Sequence, residues 1–166
     1  MKYNTEGVLP YQYLIRMIER GNISAREEIE KNQIQPSSLD LRLSKAAWRI
    51  QASFLPGKKS KVSDQLEELS MHEIDLSCGS ILEKNCVYLV RLQESLRLPQ
   101  DINAVANTKS SIGRLDLLTR LITDHGEEFD RVSKGYCGPL YAEISPRSFS
   151  VLAKSGSRLN QIRFRY

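Results

Sequence analysis

Short segments of alternating apolar and polar residues, separated by turn-forming residues, recur along most of this 166-residue chain. Leu39, Leu41 and Leu43 alternate with polar residues, which predicts a half-buried strand. Further strands are predicted near residues 47–50, 74–82, 87–92, 140–144, 149–152 and 159–164. Many short strands joined by turns favour an all-β barrel or sandwich. We therefore predict a mainly β fold with one or two short helices.

The sequence also contains four candidate helical segments. Pro10 can occupy the first turn of a helix and Gly21 can end it, and apolar residues recur at helical spacing between them. Residues 24–27 (SARE) have the form of a capping box and predict a short helical turn. Residues 64–69 and 110–118 are each compatible with one short helix.

Composition indicates an ordinary globular protein. The length suits a single domain, residues 1–166, with apolar residues at 40% and charged residues at 27%. No apolar run approaches the ~20 residues of a membrane span, and the N-terminus lacks an apolar signal core. Cys78, Cys86 and Cys137 are odd in number and lack metal-type spacing. This favours a reduced, cytoplasmic protein with the cysteines as small core residues.

The charge distribution favours a small anionic ligand over nucleic acid. The net charge of +4 is mild, and no basic face is apparent. The densest basic cluster, residues 58–61 (KKSK), follows Pro56-Gly57 and is interpreted as a solvated loop.

Residues 109–114 (KSSIGR) combine a Lys, two hydroxyls, a Gly and an Arg. Lys supplies a point charge, Arg a planar fork and the hydroxyls short donors, while Gly lets backbone N–H groups approach a ligand. This combination can hold a polyanion. Taken alone, it is also found in ordinary solvated turns.

Three further segments accompany this one in a fixed order. Residues 34–43 read IQPSSLDLRL, residues 135–144 read GYCGPLYAEI, and residues 156–162 read GSRLNQI. Together the four segments resemble the dCTP deaminase branch of the dUTPase-like superfamily, over roughly residues 7–164. The resemblance implies a distorted, jelly-roll-like β-barrel. It also implies hydrolytic deamination of dCTP to dUTP and ammonia.

The same resemblance assigns roles to individual residues. Glu143 corresponds to the general base that activates the attacking water, with the solvated strand carboxylate as its alternative. Arg114 corresponds to the Arg beside that water, and Ser110 to the Ser at the reacting base. The implied substrate-binding residues are Lys109, Ser110, Ser111, Arg114, Asp130 and Gln161. Asp40 and Arg42 are expected to be structural.

A zinc mechanism is not expected. Zinc nucleobase deaminases use a His-x-Glu and a Pro-Cys-x-x-Cys, whereas His72 is followed directly by Glu73 and no two cysteines lie three apart. The resemblance instead implies Mg²⁺ bound through the substrate phosphates, and it predicts no protein metal site. It further implies a homotrimer with active sites shared between subunits, and it leaves dTTP open as a regulator.

Three departures from the family pattern leave alternatives open. Residues 122–136 are longer and more acidic than the corresponding family run, and solvation is favoured over a cation site there. Residues 54–69 look like an insert, and the chain ends at Tyr166, before the segment that closes over the triphosphate. This pattern resembles the first domain of a long tandem subtype, which makes the chain either part of a longer protein or a single-domain form. The alternatives are a dUTP diphosphatase, a bifunctional deaminase/diphosphatase and a non-catalytic nucleotide-binding or assembly domain.

Overall fold

The computed structural model describes residues 7–166, and most of them lie in antiparallel strands. Within this range the strands are β1 (Ile23–Ala25), β2 (Leu39–Ile50), β3 (Ser70–Asp75), β4 (Ser80–Leu82), β5 (Val87–Arg97), β6 (Asn103–Thr108), β7 (Leu117–Thr123), β8 (Arg131–Val132), β9 (Cys137–Pro146), β10 (Val151–Ala153) and β11 (Arg158–Arg165). The helices are α1 (Tyr11–Glu19), α2 (Val62–Leu69) and α3 (Ser110–Gly113), with a 3-10 turn at Lys31–Gln33. None of the helices in this range is long and apolar enough to cross a membrane.

The main sheet curls into a nearly closed barrel. Its strand order is β7-β9-β5-β2-β11-β6-β8, with β1 on β5 and β3 on β2. The two edges of this sheet lie close together. Thr108 Oγ1 at the end of β6 donates to the Thr119 carbonyl of β7 at 3.0 Å, and Asp130 N beside β8 donates to the Leu121 carbonyl of β7 at 3.0 Å. The prediction of a mainly β barrel with short helices is confirmed.

The barrel interior is apolar, as strand alternation predicts. Leu39, Leu41 and Leu43 of β2 point into it and are fully buried, together with Ile162 and Phe164 of β11. Helix α1 contributes Leu14 and Met17 to the same core. Its N-cap is Pro10, so the predicted helix before Gly21 is confirmed.

A second apolar cluster covers the outer face of the barrel. Leu89, Ile122 and Tyr141 lie on neighbouring strands and pack against Val62 and Leu66 of α2. The segment that looks like an insert in the sequence therefore has a structural role. It shields the outer face of β5, β7 and β9 from water, and Glu143 lies on this face.

Strand β2 is buried on both faces, so the predicted half-buried strand is wrong there. Asp40, Arg42 and Ser44 alternate with the leucines and are buried as well. Arg42 donates Nε to Glu94 at 2.9 Å, and both side chains are almost fully buried, at 3% and 0% exposure. Local alternation could not reveal this pairing, because Glu94 lies on the adjacent strand β5, 52 positions away along the chain.

Several local predictions were also wrong. Residues 24–27 do not open a helix, because Ile23 and Ala25 pair with Leu96 and Glu94 in the sheet. The helix predicted within 110–118 ends at Gly113, and β7 begins at Leu117.

The cysteines are not core residues. All three are free; Cys78 and Cys137 are exposed and Cys86 is half-buried, so the prediction of buried core cysteines is wrong.

Candidate functional site

Glu143 lies on β9 and is buried beneath the outer cover of the barrel. Its strand neighbours Leu140, Ala142 and Ile144 belong to the barrel core, while Glu143 shares the outer face with Tyr141. Only 3% of its side chain is exposed. The alternative of a solvated strand carboxylate is therefore wrong.

The carboxylate of Glu143 is held by Arg120 on the adjacent strand β7. Arg120 Nε donates to Glu143 Oε2 at 2.9 Å, and Arg120 Nη2 lies 2.8 Å from the same oxygen. The other oxygen, Oε1, is buried and has no hydrogen-bond partner. A buried carboxylate oxygen that accepts no hydrogen bond destabilises the folded chain. Such an atom calls for an explanation, such as a catalytic role or a bound water.

Arg120 is itself fixed from two further sides. Its Nη2 donates to Ser53 Oγ at 3.1 Å, and its guanidinium lies 4.0 Å from the centre of the Phe129 ring. Both contacts come from segments that cover the barrel. Sequence reasoning missed Arg120 and Ser53, although Arg120 is the one charged residue of β7, which was the available signal.

The Gly-Tyr-x-Gly motif builds the corner before β9. Gly135 has a φ of +70°, which favours glycine. Tyr136 Oη donates to the Pro139 carbonyl at 2.6 Å and accepts from Asp124 N at 3.1 Å. A Cβ on Gly138 would lie 2.8 Å from that hydroxyl, so the position has room only for glycine. Burial raises the pKa of the Tyr136 phenol, which therefore stays protonated and can donate.

Asp130 serves the backbone of the same region. Its Oδ1 accepts from Leu121 N at 2.8 Å, and its φ of +61° is one that Asp tolerates better than most residues. Burial raises the pKa of the Asp130 carboxyl, against the opposing effects of the Leu121 N–H and the Arg120 charge. In this structure Asp130 closes the barrel and lies close to Arg120, so its implied contact with a sugar stays a prediction.

A second polar cluster lies where β2, β11 and the end of β6 meet. Lys109 Nζ lies 2.5 Å from Asp40 Oδ2, and Asp40 pairs across the sheet with Gln161. Gln161 Oε1 accepts from Ser38 Oγ at 3.4 Å. The sequence-predicted residues Lys109 and Gln161 are thus brought together, and Asp40 holds the Lys109 ammonium in place.

The remaining predicted residues lie on the exposed helix α3 and its C-cap. Ser110, Ser111 and Arg114 are all exposed. Within residues 7–166, Arg114 forms no ion pair with Glu143, whose partner is Arg120 instead. The sequence-based pairing of Glu143 with Arg114 is therefore not found within one chain.

The two polar groups lie on different strands of the sheet. Glu143 is on β9 and Gln161 is on β11, with β5 and β2 between them. Three strand spacings correspond to about 14 Å along the sheet. One chain thus presents a buried carboxylate and, separately, a surface cluster of cationic and hydroxyl groups.

No protein metal centre is formed by the part of the chain that is described. Residues 7–166 contain no group of three or more His, Cys, Asp or Glu side chains able to hold an ion. In the acidic run 122–136, Asp124 accepts from Val62 N at 2.9 Å, while Glu127 and Glu128 are exposed.

The fold defines the class to which this chain belongs. A mutant dUTPase from phage phi11 of S. aureus superposes with a TM-score of 0.52, over 86% of this chain and 88% of that one. At 10% identity this likeness shows only the dUTPase-like fold. Residues 5–166 match the 2'-deoxycytidine 5'-triphosphate deaminase (DCD) N-terminal domain, and the chain belongs to that family.

Individual relatives agree with this assignment. A "dCTP deaminase, dUMP-forming" of Coprothermobacter proteolyticus is 31% identical over 144 residues, which cover 83% of this chain and 71% of the relative. A protein of the same description from Dictyoglomus turgidum is 28% identical over 138 residues, covering 81% of this chain and 66% of the relative.

One solved structure shares more sequence identity with this chain than these two relatives do. The 2'-deoxycytidine 5'-triphosphate deaminase of Agrobacterium tumefaciens is 49% identical, with a TM-score of 0.95 over 98% of this chain. The present chain spans 48% of the length of that protein, or about half.

Proposed function

We propose that this chain catalyses the hydrolytic deamination of dCTP to dUTP and ammonia. The observation that carries the proposal is Glu143 Oε1, a buried carboxylate oxygen without a partner at the position that the family motif assigns to the general base. Family membership and the names of the relatives support the substrate.

The proposed reaction uses Glu143 as a proton carrier. Glu143 takes a proton from water, the resulting hydroxide attacks C4 of cytosine, and a C4–O bond forms. The C4–N bond then breaks, its electron pair leaves with nitrogen, and the proton returns to the leaving group to give ammonia. Oε1 has no exposed surface in this structure. The cytosine ring and the attacking water must therefore displace some of the residues that cover this face of the barrel to reach Oε1.

A cluster of exposed and half-buried polar residues supplies the proposed triphosphate site. Lys109, Ser110, Ser111 and Gln161 offer one cation and several short hydrogen-bonding groups, which suit phosphate oxygens. Mg²⁺ is proposed to bind through the phosphates, where it would neutralise their charge, since it keeps several waters and needs no protein cage. Lys109, paired with Asp40, would face the same phosphates.

We also propose that the active site is shared between subunits of a homotrimer. Arg114 is exposed, whereas Glu143 is buried and paired elsewhere, so the two groups do not form one site within a chain. A neighbouring subunit that presents Ser110 and Arg114 to Glu143 would complete it. The free cysteines are consistent with a reducing, cytoplasmic setting.

Mixing two inactive variants tests the shared site. Co-expressed Arg114→Ala and Glu143→Gln chains should regain about a quarter of the wild-type activity, because that share of sites draws both intact residues from different subunits. If both residues served the same chain's site, every site would be defective and no activity would return.

The central experiment follows ammonia release and nucleotide products from dCTP and Mg²⁺. Wild type should form dUTP, while Glu143→Gln should bind dCTP and release no ammonia. Gln keeps the shape of the side chain and its acceptor for Arg120, and Arg120 is 30% exposed, so the chain should still fold although it loses the charge pair. A Glu143→Gln chain that retains full ammonia release would contradict the assigned base.

The second candidate function is a bifunctional deaminase that goes on to dUMP. It is favoured by the relatives named as dUMP-forming. Formation of dUMP and pyrophosphate from dCTP would establish it, whereas accumulation of dUTP would exclude it. A non-catalytic nucleotide-binding or assembly domain would bind dCTP without forming either product.

A further inference from the structure

We infer that Arg120 is a positioning residue that selects which oxygen of Glu143 accepts the proton. The inference rests on the proposed function, since it concerns the same carboxylate. It adds a residue outside the motifs that identify the family, and it assigns separate roles to the two oxygens of one side chain.

The two carboxylate oxygens have opposite environments. Oε2 receives Arg120 Nε at 2.9 Å and lies 2.8 Å from Nη2, so the guanidinium occupies this oxygen. Oε1 is equally buried but has no donor. A proton arriving from water would compete with the Arg charge at Oε2, whereas at Oε1 it meets a free lone pair. Oε1 is therefore the proton acceptor.

The guanidinium of Arg120 can fix the Glu143 carboxylate because three groups hold the guanidinium itself in place. Glu143 binds its Nε edge, Ser53 binds Nη2 at 3.1 Å, and the Phe129 ring stacks at 4.0 Å. Planar, forked donors of this kind fix a carboxylate in orientation as well as in position. Lysine, with a point charge on a flexible stem, would bind Oε2 without fixing the carboxylate plane.

The arrangement also explains the segment that covers the barrel. Ser53 lies immediately before the apolar residues that pack under α2, and Phe129 lies in the lengthened run 122–136. The lengthened run thus contributes Phe129 to the contacts of Arg120, and the residue directly before the insert contributes Ser53. They support the charged pair on the outer face of the sheet.

The test compares Arg120→Ala and Arg120→Lys with wild type and with Arg131→Gln, which alters an exposed Arg that pairs with Glu128. Arg120→Ala should lower kcat for ammonia release by about 100-fold, the size of effect caused by a misplaced reacting group. The KM for dCTP should change much less, because the interaction acts through Glu143. Arg120→Lys should recover part of kcat, and added guanidinium should rescue Arg120→Ala but not Glu143→Gln.

The outcomes separate this inference from the proposed function. If wild type releases no ammonia from dCTP, the proposed function fails. If wild type is active and Arg120→Ala keeps its kcat, the positioning role is overturned while deamination stands. If Arg120→Ala loses activity and folded protein together, with no rescue by guanidinium, Arg120 is a structural ion-pair partner and the inference is wrong.

Discussion

The buried pair of Arg42 and Glu94 allows a quantitative prediction about stability. Glu94 accepts from Gln33 Nε2 at 2.6 Å, from Arg42 N at 2.8 Å and from Arg42 Nε at 2.9 Å. Glu94→Gln keeps the shape of the side chain but removes the charge and replaces one acceptor by an amide donor. Arg42 would remain buried at 3% exposure without a counter-charge.

Removing one partner of a buried pair typically costs about 3–5 kcal/mol in the free energy of unfolding. For a domain of this size, 1 kcal/mol lowers the Tm by about 2–4 °C, so the expected loss is about 6–20 °C. Urea unfolding followed by circular dichroism at a fixed chain concentration measures the free energy directly.

Glu128→Gln provides the matched control for Glu94→Gln. It alters the exposed Arg131–Glu128 pair, whose side chains are 61% and 71% exposed. Such surface pairs contribute about 0–1 kcal/mol. If Glu94→Gln destabilises the chain no more than this control, the reasoning that burial makes the charge indispensable is refuted.

Two further predictions concern the corner beside Glu143. Burial raises the pKa of Asp130, so the folded state holds its proton more tightly than the unfolded state, and ionisation costs stability as pH rises above 3.8. Asp130→Asn keeps an acceptor for Leu121 N. Its free energy of unfolding relative to wild type should differ little below pH 3.8 and should become more favourable as pH rises through the raised pKa of Asp130. A difference that does not change with pH would contradict this. Tyr136→Phe should cost about 1–3 kcal/mol, because Asp124 N and the Pro139 carbonyl both lose their partner. Urea titration measures the loss, and unchanged stability would mean that water replaces the hydroxyl.

Much of the fold could be predicted because its signals are local. The apolar runs that predict strands at β2 and β5 and the helix between Pro10 and Gly21 are patterns of neighbouring residues. The strand at Ile23–Ala25 could not be predicted in this way, because it depends on pairing with β5 about seventy positions away. Residues 24–27 have a local capping pattern, but pairing with β5 places the first two of them in a strand instead of a helix.

In the candidate site, too, residue types could be predicted from local motifs, whereas contacts between distant parts of the chain could not. The motifs predicted Glu143, Lys109 and Gln161 as site residues from residue type and order. Their surroundings were not predictable: Arg120 lies 23 positions from Glu143, and Asp40 lies 69 positions from Lys109. Exposure of Arg114 likewise follows from where α3 projects, which no residue pattern shows.

The sequence by itself determined the class of fold and the family, and it predicted which side chains form the site, because periodicity, turn residues and motif order are properties of the chain in one dimension. Only the tertiary structure decided which oxygen of Glu143 is free, which Arg holds the other, and which faces of the barrel are covered. Those properties depend on strand register and on the packing of residues 54–69 over β5, β7 and β9, which bring together groups that are far apart along the chain.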